Sequence, residues 1–84
     1  MKVPSDELKT DIEKFLTKVQ PKDSRNPLNT GAFAKGKWDE VAEFLDYLME
    51  FGTAVLGLSG EQADEAREHH DRLVHGYAKR ARKP

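Results

Sequence analysis

The sequence predicts an all-α fold of three main helices, with a long connection between the first and second and the last two folded back as an antiparallel hairpin. Two observations carry this. Apolar residues recur at helical spacing over three stretches, and Gly57-Leu58-Ser59-Gly60-Glu61-Gln62 joins the last two stretches with almost nothing between them. Gly57 can take the left-handed conformation that closes a helix, Leu58 can pack back on its final turn, and Ser59 with Gln62 forms an S-x-x-Q capping box. The 84 residues, 37% hydrophobic and 35% charged, form one domain over 1–84 with few apolar side chains to spare. Each helix therefore commits its apolar stripe to a shared core or to a partner.

The first helix is expected over 6–19. Ser5 is its N-cap, Asp6 and Glu7 suit the positive end of the helix dipole, and Leu8, Ile12, Phe15, Leu16 and Val19 share one face. Pro21 ends it, because a proline pushes the preceding residue out of the helical region. Residues 20–36 follow as a loop. From Pro21 onward they hold two Pro, two Gly and two Asn without a period, with Leu28 and Phe33 as anchors and room for a short helix around Ala32 to Ala34.

The central helix is expected over 37–56. Trp38, Val41, Leu45, Leu48, Gly52 and Val55 make one stripe, and Phe44, Tyr47, Phe51 and Ala54 make a second beside it. So wide an apolar face exceeds what one neighbour covers, which places this helix in the middle of a bundle or at a dimer seam. Gly52 costs about 1 kcal/mol against alanine there, which close approach by another helix would offset. A strand over Gly52 to Gly57 would have no partner for its backbone groups. The last helix is expected over 60–81, with Ala63, Ala66, His70, Leu73, Val74, Tyr77 and Ala81 facing inward.

Several chemistries are excluded. The absence of cysteine removes disulfides and thiolate metal sites, and no apolar run approaches the ~18 residues of a membrane span. The residues after Met1 lack the apolar region of a secretory signal, so cytoplasmic residence is the expectation. No glycine-rich phosphate loop, G-x-S-x-G elbow or cysteine nucleophile occurs, and an enzyme is not expected.

The net charge of −1 conceals an uneven distribution: seven Lys/Arg against five Asp/Glu over 1–35, one against five over 36–58, and six against five over 59–84. The middle helix is acidic. Lys79, Arg80, Arg82 and Lys83 form a basic end that suits a helix C-terminus and is the candidate for nucleic-acid contact.

Three histidines, His69, His70 and His75, lie in one helix with Glu65/His69 and Asp71/His75 at i,i+4. The two pairs point to different sides, so solvent-facing histidines paired with acids, and no metal or cofactor, are expected. Asp39-Glu40-Val41-Ala42-Glu43 with Glu68-His69-His70-Asp71 resembles in outline the carboxylate set of the all-α nucleoside triphosphate pyrophosphatases, with Asp39 where that pattern has Glu. The resemblance implies a Mg²⁺-dependent hydrolase using Glu40, Glu43, Glu68 and Asp71 as the alternative function.

The leading expectation is a small non-enzymatic interaction module of the adaptor, inhibitor or immunity kind. Phe33, Trp38, Phe44, Tyr47 and Phe51 are its expected contact residues, buried against a protein partner or a second copy, because aromatic rings supply large contact area and acids bias which partner approaches.

Overall fold

In the computed structural model, residues 3–75 are described, and these hold four helices and no strand. They are α1 (Asp6–Lys18), α2 (Pro27–Thr30), α3 (Trp38–Val55) and α4 (Gly60–His75). None is long and apolar enough to cross a membrane.

Helix α1 begins as its cap requires. The Leu8 N–H donates to Ser5 Oγ at 3.2 Å, and the Lys9 N–H donates to the Ser5 carbonyl at 2.9 Å. It ends with Val19 extended and Gln20 at φ 48°, the residue before Pro21 having left the helical region. The Gln20 side chain then donates to the Leu56 carbonyl at 3.3 Å, tying the end of α1 to the end of α3.

The connection from α1 to α3 is more ordered than its composition suggests. Asn26, fully buried, donates through Nδ2 to the Leu16 and Gln20 carbonyls, each at 3.1 Å, and accepts the Leu28 N–H on Oδ1 at 2.9 Å. It satisfies an orphan carbonyl of α1 while capping α2, whose first residue is Pro27 with its fixed φ. The short helix therefore forms at Pro27–Thr30 and not around Ala32 to Ala34. Gly31, at φ 87°, closes it.

At the other end, Gly57 is left-handed at φ 76°, and Ser59 and Gln62 exchange the expected pair of hydrogen bonds, both 3.1 Å. Helices α3 and α4 consequently turn back and pack closely. Gly52 is needed for a different contact from the one the sequence suggests. A Cβ there would lie 2.6 Å from Leu58 Cδ1, so the turn residue, and not another helix, occupies the space.

One core joins the elements: Leu8, Ile12, Phe15, Leu16 and Val19 from the α1 segment, Trp38, Val41, Phe44, Leu45 and Leu48 from α3, Leu58 from the turn, and Ala66 and Leu73 from α4. Helix α4 is rotated from its expected orientation. Ala66, His69 and Leu73 face inward, whereas His70 is half-buried and Val74 is 41% exposed. The cause is the seam with α1, where His69 meets the Phe15 ring edge-on at 5.2 Å between Arg72–Asp11 at 3.3 Å and Lys18–Glu65 at 3.8 Å. Tyr77 and Ala81 lie outside the described residues.

Replacing Asn26 with alanine removes three hydrogen bonds, one buried and two part-buried, and strands two carbonyls and an N–H. Chemical denaturation should show a loss of about 2 to 3 kcal/mol, and Asn26→Asp, which loses both donors, should not restore it.

Candidate contact face

The expected contact residues divide into two groups. Phe33 and Trp38 form a pair at the start of α3, their rings edge-to-face at 5.3 Å, with Lys9 Nζ 5.8 Å from the Trp38 ring. Phe44, Tyr47 and Phe51 form a run along the helix, with centroids 6.3 Å apart from Phe44 to Tyr47 and 5.8 Å from Tyr47 to Phe51. Trp38 and Phe44 are 7% and 6% exposed, so both leave the expected contact face and enter the chain's own core. Phe33 and Tyr47 are half-buried. Phe51 is 50% exposed, and Val55, one turn further on, is 63% exposed.

What covers the first part of this face is the connection before α3. Pro27, Ala32, Phe44 and Tyr47 line an open cleft of about 560 Å³ together with Ser24, Arg25, Thr30, Glu40 and Glu43. The Arg25 guanidinium stacks 4.2 Å above the Tyr47 ring and lies 3.7 Å from Asp23 Oδ1. Tyr47, before Asp23, holds this arginine in its charged form. Beyond Tyr47 the cover stops, and Phe51 and Val55 face outward.

Nothing in the sequence signals Arg25 or the cleft, because residues 20–36 have no periodicity from which a neighbour could be inferred. The spacing places Val55 on the inward stripe, yet it lies about 60° of helix turn beyond Gly52 and is 63% exposed.

The other candidate chemistries gain no support. Among the described residues, no group of three or more His, Asp or Glu side chains could hold a metal ion. Glu40 and Glu43 line the α3 cleft, whereas Asp71 lies 3.5 Å from His70 Nδ1 on α4. His69, expected at the surface, is instead 7% exposed against Phe15, with its Nδ1 unpartnered. Its sequence signal was ambiguous, since positions 69 and 70 both adjoin the Ala66/Leu73 stripe. Lys79, Arg80, Arg82 and Lys83, the nucleic-acid candidates, lie outside the described residues.

Desolvation lowers the His69 pKa below its ordinary 6.5, against the upward pull of Glu65, Glu68 and Asp11 and with a smaller downward push from Arg72. The neutral ring is thus the native form. Its contribution to stability is complete above the unfolded-state pKa and is lost as pH falls from there through the folded-state value. Urea midpoints measured at about pH 7.5 and about pH 5.5 should drop further for the native chain than for His69→Leu, which removes the proton-binding site while keeping apolar volume.

No protein-family model matches the sequence, no curated protein matches it, and no solved structure matches the fold. A functional reading therefore stands on the geometry of the α3 face.

Proposed function

We propose that this chain is a non-enzymatic protein-interaction module whose contact face is the outer side of α3, centred on Phe51. The observation that carries the reading is the half-exposed ring of Phe51, tilted against Tyr47 at 5.8 Å, with exposed Val55 one turn beyond. The core already contains Phe15, Ile12, Leu16, Leu45 and Leu48 at under 2% exposure or close to it, so these two residues are not left out for want of a place to bury apolar groups.

Magnitudes set the extent of the face. Covering the exposed parts of Phe51 and Val55 removes roughly 200 Å² from water, about 5 kcal/mol before the costs of association. Those costs are of the same order or larger, and a stable interface buries about 800 Å² on each side. Two side chains are therefore anchors and not the whole contact. Tyr47 and the adjoining cleft, with Glu40 and Glu43, belong to the same surface.

The occupant is a protein partner or a second copy of the chain, in an adaptor, inhibitor or immunity role, and residence in the cytoplasm accords with a chain lacking cysteine. Dimerisation across the same helix is the second reading. It is supported by the same exposed Phe51 and Val55 side chains, since a helical pair readily doubles into a four-helix core.

Phe51→Asp places a charge where the ring meets solvent, so the variant should melt within a few degrees of the native chain while losing its contact. Affinity capture with native and Phe51→Asp proteins, alongside their light-scattering masses, checks this. Loss of a captured protein or conversion of dimer to monomer is the expected outcome. Identical masses and identical captured sets would overturn the proposal.

A further inference from the structure

We infer that the occupant of the α3 face is an apolar segment of a different protein carrying lysine or arginine beside its apolar side chains. The inference rests on the interaction reading above and adds the partner's chemistry to it.

Charge is what selects this occupant. Helix α3 carries Asp39, Glu40, Glu43, Asp46 and Glu50 and no Lys or Arg. The ion pairs among the described residues engage Asp6, Asp11, Asp23, Glu65 and Asp71, and none engages an α3 carboxylate. Glu40 and Glu43 line the cleft beside Phe44 and Tyr47, and Glu50 adjoins Phe51 in sequence. The nearby Arg25 does not neutralise them, because its guanidinium is engaged by Asp23 and the Tyr47 ring. An apolar strip with uncompensated acids along it is complementary to a segment whose apolar anchors are interspersed with bases.

The same charges disfavour a second copy. Pairing α3 with α3 across a two-fold axis near Phe51 would bring together two helices that each carry five acids and no base, and like charges so placed oppose association. From Phe44 in the cleft to Val55 the face runs for about 16 Å. A helical partner segment would span it in three turns, with apolar side chains at i, i+4 and i+7 and bases beside them.

The test is selection of random peptides displayed on phage against the native chain, with Phe51→Asp as counter-selection, followed by sedimentation equilibrium of the unliganded protein. Enriched sequences should combine aliphatic or aromatic residues with Lys or Arg. A synthetic peptide of that consensus should bind at least about tenfold more tightly than its copy with Glu at the basic positions. It should also lose a comparable factor against Glu40→Lys/Glu43→Lys/Glu50→Lys, whose fold is checked by circular dichroism.

Peptides that depend on Phe51 but are neutral or acidic would overturn the inference while leaving the interaction face standing. No enrichment over Phe51→Asp would overturn both. A dimer that Phe51→Asp dissociates would assign the face to a second copy and overturn the basic partner.

Discussion

An apolar side chain on α3 stays dry only where another segment of the chain lies over it, and the helices that cover it are shorter than α3 itself. Helix α3 has 18 residues, α1 has 13 and α2 has 4. On one side α1, the Leu58 turn and α4 enclose Trp38, Val41, Leu45, Leu48 and Gly52. On the other, the α1 to α3 connection reaches Phe44 and Tyr47 and then ends. The aromatic run continues past that limit. Tyr47 is consequently divided between cleft and surface, and Phe51 and Val55 are surface outright.

That cover depends on the loop holding its shape. Asn26 joins the Leu16 and Gln20 carbonyls to the start of α2, while Asn29 Nδ2 donates to the Pro21 and Asp23 carbonyls at 2.8 and 2.9 Å. Pro27 and Ala32 are thereby fixed as the far lining of the cleft, and Arg25 is fixed over Tyr47. A loop bound by side-chain amides can be both irregular and rigid, because each amide replaces backbone partners that no helix or sheet supplies. The contact face thus has one regular wall and one wall built from turns.

The helices and the hairpin turn were legible because they follow local rules. Ser5, Gly57, Ser59 and Gln62 act within three residues of where they stand, and the apolar period needs only neighbours on the same helix. The width of the α3 face was legible for the same reason. Its division was not, since Trp38 and Phe44 become core through contacts with residues from the preceding connection and α1, and nothing in the spacing reports how far a loop reaches. The inward placement of His69 in preference to His70 was likewise hidden. A rotation of α4 by part of one residue step decides it, and that rotation is set by Phe15, Asp11 and Lys18 on a helix more than 40 positions earlier.

Phe51 stands half outside while Phe44 of the same aromatic run and Trp38 at the start of α3 are inside. Hydroxyl-radical footprinting of the free chain, read by mass spectrometry, measures this side chain by side chain. Phe51 should be oxidised several times faster than Phe44, with the intrinsically more reactive Trp38 protected relative to the unfolded chain. Phe51 protected to the same degree as Phe44, or Phe44 modified as readily as Phe51, would contradict it.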